Sequence, residues 1–194
     1  MTASPSIYLA SQSPRRRELL QQIGVDHSVV AVDVSEQRHE DETAHGFVTR
    51  VALDKARAGW QALPVQQRRP VLGADTVVVS GAHILGKPRD REAALQMLQL
   101  LSGRTHQVLT AVALVADREV VCVSSSRVTF RTLSEAECAA YWETGEPLDK
   151  AGAYAVQGLA AIFISGIDGS YSGVMGLPLF ETAQLLNEFG INVL

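Results

Sequence analysis

Cysteine, lysine and long apolar runs are all scarce in this 194-residue chain. Cys122 and Cys138 are too few for a disulfide framework and have no CxxC spacing, which fits a reducing compartment and gives no thiolate metal site. The five histidines are scattered without HExxH spacing, so histidine-ligated zinc has no support. No stretch approaches the roughly 20 apolar residues of a membrane span, and Met1–Ser6 lacks a basic segment leading into an apolar one. The expectation is a cytoplasmic protein with no membrane partner. There is no GxxxxGKS/T phosphate loop. The formal net charge of −4, without aromatics interleaved among basic residues, disfavours a nucleic-acid-binding module, so any anion site must be local.

What is present suits a compact enzyme-sized unit: 46% hydrophobic and 20% charged residues, with no repeat and no interdomain linker. Ile7–Ala10 reads as a strand, followed by a Ser/Pro loop and a helix over Arg15–Ile23 closed by Gly24. Val25–Val34 reads as a second strand, Ser35–Glu42 as a charged loop, and Thr43–Leu63 as a long helix. Val71–Val79 is apolar on both sides of one acid, the pattern of a strand buried on both faces. Asp90 caps a helix to Leu101, and Gln107–Ala116 with Val120–Phe130 form a hairpin. Ser134 to Glu137 is a capping box opening a helix through Trp142. Leu159–Ile164 reads as a strand within a glycine-rich stretch, and Pro178 opens a final helix to Phe189. The architecture is α/β with a mixed sheet.

Five places could carry chemistry. Ser13 and Pro14 suit the N-cap and first position of a helix, whose free N–H groups meet anions. Arg15, Arg16 and Arg17 in that first turn oppose the helix dipole by about 0.3–1 kcal/mol each, unless a bound anion reverses the sign. A capped surface helix fits equally well. Asp75, isolated in its apolar run, is costly unless paired, hydrogen-bonded or metal-bound. Glu36, in a loop that otherwise reads as a solvated charge run, could share a hard cation with Asp75. Lys55 and Lys87, two of only three lysines, could each reach a phosphate or simply solubilise the surface. Gln157, among the small residues of Gly152–Gly158, could read a base edge with its amide or sit in a tight turn.

Taken in order, Ser11-x-Ser13-Pro14-Arg15-Arg16, Glu36-x-Arg38, Gly73-Ala74-Asp75-Thr76, Gly86-Lys87-Pro88, Leu101-Ser102-Gly103-x-Thr105-His106, Ala151-Gly152-x-Tyr154-x-x-Gln157-Gly158 and Gly169-Ser170-Tyr171 to Gly176-Leu177-Pro178 resemble the Maf family of nucleotide pyrophosphatases. Each motif is weak alone, but seven in sequence span nearly the whole chain.

The resemblance implies an elongated α/β fold related to the inosine-triphosphate pyrophosphatases, one Maf-like domain over 1–194 with a cleft between two lobes, and a homodimer. It also implies Mg²⁺- or Mn²⁺-dependent cleavage of nucleoside triphosphates between the α and β phosphorus atoms. By motif, Asp75 would be the general base and a metal ligand, Glu36 would lie near the metal, and Ser13, Arg15, Arg16, Lys55 and Lys87 would contact the triphosphate. Arg15, Thr76 and Gln157 together resemble the subgroup acting on dTTP and UTP. Two alternatives stay open on the sequence: a non-catalytic nucleotide-binding regulator of septation, and a broad pyrophosphatase of noncanonical purine triphosphates.

Overall fold

A computed structural model of the chain describes residues 5–193. Of the Met1–Ser6 stretch read for a leader, the first four residues therefore lie outside the described residues. The elements follow in the order β1 (Ile7–Leu9), α1 (Pro14–Gln22), β2 (His27–Val29), α2 (Ala44–Ala62), β3 (Val71–Ser80), β4 (His83–Leu85), α3 (Arg91–Leu101), β5 (Thr105–Val115), β6 (Glu119–Phe130), α4 (Glu135–Glu143), β7 (Ile164–Asp168), α5 (Tyr171–Met175) and α6 (Leu179–Glu188). Short 3-10 turns occupy Val65–Gln67, Ala151–Ala153 and Leu159–Phe163. No helix among the described residues is long and apolar enough to cross a membrane.

The strands form one sheet in the order β2-β1-β3-β5-β6-β7, with β4 beside β3. β1 runs parallel to both β2 and β3, while β3–β4 and β6–β7 are antiparallel, so the sheet is mixed as expected. β3 is buried along nearly all its length, the environment its continuous apolar run predicts. Helix ends follow their capping residues. Thr43 Oγ1 accepts the Gly46 N–H at 3.0 Å, Asp90 Oδ1 accepts the Ala93 N–H at 2.8 Å, and Ser134 with Glu137 forms a complete capping box.

Two expected strands differ. Val25–Val34 pairs only over His27–Val29, because its partner β1 is itself three residues long; Val30 N–H to Leu9 O at 3.1 Å is the last rung. Leu159–Ile164 was expected to be extended, yet Leu159–Phe163 coils into a 3-10 turn and the strand begins at Ile164. Outside acceptors meet the first amides of that turn, so it has no need of a ladder partner.

The chain divides into two compact units. Unit 1 comprises residues 1–75, 110–124 and 176–194; unit 2 comprises 76–109 and 125–175, so β3, β5 and β6 each contribute residues to both. In unit 1, Ala10, Leu63 and Val71 pack with Tyr8, Val30, Val32 and Trp60. In unit 2, Leu98, Leu101, Phe130, Tyr141, Tyr154 and Phe163 centre a larger core. His106 is buried in that core, edge-on to Phe130 and Tyr154, with Nε2 2.9 Å from the Tyr154 hydroxyl. Its Nδ1 meets no partner among the described residues, and burial lowers its pKa to about 4.

Candidate active site

In unit 1 the site starts at the entrance to α1. Ser13 takes the N-cap position with extended backbone, and Pro14 begins the helix. Ser13 makes no side-chain capping bond; its N–H instead donates to Ser11 Oγ at 3.2 Å. The loop is thus wound on itself and leaves the Ser13 hydroxyl uncommitted to the helix. The three arginines part company in their surroundings. Arg17 is exposed, whereas Arg15 and Arg16 are half-buried. Arg16 is held at both ends of its guanidinium, Nε donating to Gly176 O at 2.8 Å and Nη1 to Ser11 Oγ at 3.3 Å. Burial pulls its pKa below the usual guanidinium range, while the charges of Asp75 and Glu36 act the other way. A first-turn arginine that opposes its own dipole is thereby compensated by acids brought from elsewhere in the chain.

The acids arrive through α2 and β3. Val48, Val51, Ala52, Lys55, Ala56 and Gly59 form the buried stripe of α2, at the three- and four-residue spacing of one helix face. Lys55 is the single charge in that stripe and is only 8% exposed. Its Nζ lies 2.9 Å from Asp75 Oδ1 and 2.7 Å from Glu36 Oε1. One buried ammonium thus joins the two carboxylates, supplying the partner that the isolated acid of β3 requires. Glu36 is the more exposed of the two acids.

Two features set this triad. On β3, Gly73 lies against the backbone of α2: a Cβ there would stand 2.3 Å from Ala52 O and 2.7 Å from Ala56 N. Helix and strand meet without an intervening side chain, two residues before Asp75 and on the turn that carries Lys55. The loop before α2 is fixed by Arg50, which donates from Nε and Nη2 to the Glu42 carboxylate at 2.7 and 2.9 Å and from Nη2 to Gln37 O at 2.9 Å. That hydrogen bonding holds the Glu42 carboxyl down at about 2. The backbone beside Glu36 is therefore tied to α2, and part of the apparent charge run is a clasp.

Unit 1 brings Arg16, Glu36, Lys55 and Asp75 together, with Arg15 and Ser13 on the same helix start. Thr76, Lys87 and Gln157 belong to unit 2. Thr76 is half-buried in β3, Lys87 is exposed between β4 and α3, and Gln157 is exposed in a turn. Sequence reasoning treated Lys55 as unspecific, although a lone lysine in an apolar helical stripe was a usable signal. It missed Gly73 as a packing residue, and Arg50, Ser11 and Gly176 as supports; only Gly73, glycine within a strand pattern, carried a mark of close approach.

A mixed α/β protein whose buried acid is paired with a lysine beside a cationic helix start is built to handle anions. The Maf-like protein family matches residues 6–189, and the chain belongs to that family. It is 60% identical over 191 residues to the dTTP/UTP pyrophosphatase of Alkalilimnicola ehrlichii, covering 97% of this chain and 95% of that one. It is 53% identical over 192 residues to the dTTP/UTP pyrophosphatase of Saccharophagus degradans, covering 98% and 91%. Among solved structures, a nucleoside-triphosphatase, dITP/XTP pyrophosphatase, from Mycobacterium abscessus aligns at 24% identity with a TM-score of 0.39, over 66% of this chain and 74% of that one.

Proposed function

We propose that this chain hydrolyses nucleoside triphosphates, dTTP and UTP foremost, to the nucleoside monophosphate and pyrophosphate. The observation that carries this reading is the Lys55 ammonium shared by Asp75 and Glu36 beside Arg16. Arg16 and Lys55 lie with two acids, and Arg15, on the same helix start as Arg16, adds a further positive charge for a polyanion, while a carboxylate remains to accept a proton. The dTTP/UTP pyrophosphatase names of the relatives covering nearly the whole chain support the substrate class.

In this reading Asp75 takes the proton of a water that attacks the α-phosphorus as the bond to the bridging oxygen of the β-phosphate breaks. Ser13, Arg15, Arg16, Lys55 and Lys87 bind phosphate oxygens and offset charge on the leaving pyrophosphate. Thr76 and Gln157 select the base. Glu36 and Asp75 are the residues that would hold a divalent ion, Mg²⁺ or Mn²⁺. Their carboxylate oxygens are the donor type such an ion takes, since Mg²⁺ is commonly held by one or two carboxylates with substrate phosphates, and the Lys55 ammonium that joins them would have to yield the place. The ion, when bound, supplies positive charge that polarises the phosphates. Two cysteines without CxxC spacing support the cytoplasm, a reducing compartment, as its location in this reading. A homodimer, suggested by the family resemblance, is checked by sedimentation.

Pyrophosphate release from UTP, dTTP, 7-methyl-GTP and ITP, with and without Mn²⁺, tests the activity. Preference for UTP and dTTP is expected; silence across the panel would instead favour a nucleotide-binding regulator. Asp75→Asn should abolish turnover, and near-wild-type turnover at saturating Mn²⁺ would remove Asp75 as the base.

A further inference from the structure

Gln157 is exposed at the tip of a turn whose feet are buried: Ala155 and Val156 precede it, and Ala160 follows. Within the turn, Gly158 N–H donates to Ala155 O at 3.1 Å. A hydrogen bond weakens steeply with distance and angle, so an amide on an exposed turn discriminates between bases only if the turn is held.

One carboxylate, reached through one hydroxyl, does the holding. Glu146 Oε2 accepts the Leu159 N–H at 3.0 Å, and its Oε1 accepts the Ala160 N–H at 3.3 Å. Oε1 also accepts the Tyr141 hydroxyl at 2.7 Å, and that same hydroxyl oxygen accepts the Ala155 N–H at 3.1 Å. Both feet of the turn are therefore tied to the Tyr141–Glu146 pair. Leu159 opens a 3-10 turn whose first amides have no acceptor within it, so a carboxylate there replaces a local cap. Gly158 permits the approach, since a Cβ at that position would meet Glu146 Oε2 at 2.3 Å. Burial raises the Glu146 carboxyl, but the Leu159, Tyr141 and Ala160 hydrogen bonds bring it below its ordinary value, so the clamp is ionised at neutral pH.

We propose that Glu146, with Tyr141, is a positioning residue for nucleobase selection: it clamps the turn from Ala155 to Ala160 and so holds the Gln157 amide in reading position. This rests on Gln157 being the residue that reads the base edge. Uracil and cytosine reverse donor and acceptor at positions 3 and 4 of that edge, so a loosened turn loses discrimination between UTP and CTP before it loses the capacity for hydrolysis.

The test is steady-state hydrolysis of UTP, dTTP and CTP by the wild type and by Gln157→Ala, Glu146→Gln, Tyr141→Phe and the Glu146→Gln/Gln157→Ala double variant. Glu146→Gln keeps the size of the side chain but turns an acceptor into an amide donor facing backbone donors. The expected result is a KM for UTP raised about 10-fold with kcat within about 3-fold, and a UTP-over-CTP preference falling to that of Gln157→Ala. In the Gln157→Ala background, adding Glu146→Gln should change the preference by less than about 2-fold, because Glu146 acts through Gln157. A merely structural role would lower stability without that loss of additivity. Discrimination kept by Glu146→Gln and Tyr141→Phe but lost by Gln157→Ala overturns the clamp alone, as do effects that multiply in the double variant. Discrimination kept by Gln157→Ala removes the reading of Gln157, and the clamp falls with it. If Glu146→Gln does not fold, Tyr141→Phe, which removes one oxygen from a packed ring, carries the same comparison.

Discussion

Replacing Gly73 by alanine should damage the site from behind. The added Cβ would stand 2.3 Å from Ala52 O, 2.7 Å from Ala56 N and 3.1 Å from Ala56 Cβ, where carbon contacts prefer about 3.5 Å or more. Two of the three obstacles are backbone atoms of a 19-residue helix, so no side chain can swing aside. α2 must retreat from β3 by roughly 1 Å. Overpacking of this kind costs about 1–3 kcal/mol, and the rigidity of both partners favours the upper end. At about 3 kcal/mol, a chain of this size should lose roughly 6–12 °C of Tm. Because Lys55 rides on the displaced turn, its 2.9 Å contact with Asp75 and 2.7 Å contact with Glu36 lengthen together. A shift of about 1 Å in a catalytic constellation lowers turnover roughly 100-fold. Thermal melting and pyrophosphate release measure the two effects. Gly166→Ala, where a Cβ meets nothing within 4 Å, should stay within about 0.5 kcal/mol of wild type. If Gly73→Ala matched that control in both stability and turnover, the direct seating of helix on strand would be refuted.

Two further perturbations follow from buried groups. His106 has a pKa of about 4 when folded against an ordinary 6.5, so between those values the unfolded chain binds more protons and stability falls as pH falls. The loss should reach about 2 kcal/mol at pH 5, and His106→Phe should remove that component; parallel stability–pH curves for the two proteins would exclude it. Lys55→Met leaves Asp75 buried without its cation, at a cost of about 3 kcal/mol. Adding Asp75→Asn to Lys55→Met should restore part of that stability, with a coupling of about 1–3 kcal/mol in denaturant melts; additive losses would show that the pair is not coupled.

The sequence discloses those elements whose own pattern is long and consistent. α2, α3 and β3 stand close to their expected limits because the helical stripe, the Asp90 cap and the continuous apolar run each specify one structure. The shortfall in Val25–Val34 and the coil at Leu159–Phe163 were not legible, since β1 limits the first and Glu146, 13 residues away from Leu159, satisfies the second. The site shows the same division. Asp75 announces itself as an acid in an apolar strand, and Arg16 as a cation at a helix start. Their proximity, the bridging by Lys55 across a separation of 20 residues from Asp75, and the Glu42–Arg50 clasp belong to tertiary structure. Glu36 looked like one solvated charge among several until the fold placed it against Lys55.

The ammonium between Asp75 and Glu36 also bears on how the protein comes into being. Many metal sites leave a newly made chain with repelling acids, so that the ion becomes a condition of folding. Here the chain brings its own counterion into the acid pair as α2 docks on β3. Folding of the acid pair is thereby independent of ion supply: a chain made where divalent cations are short would still reach this arrangement of Asp75, Glu36 and Lys55.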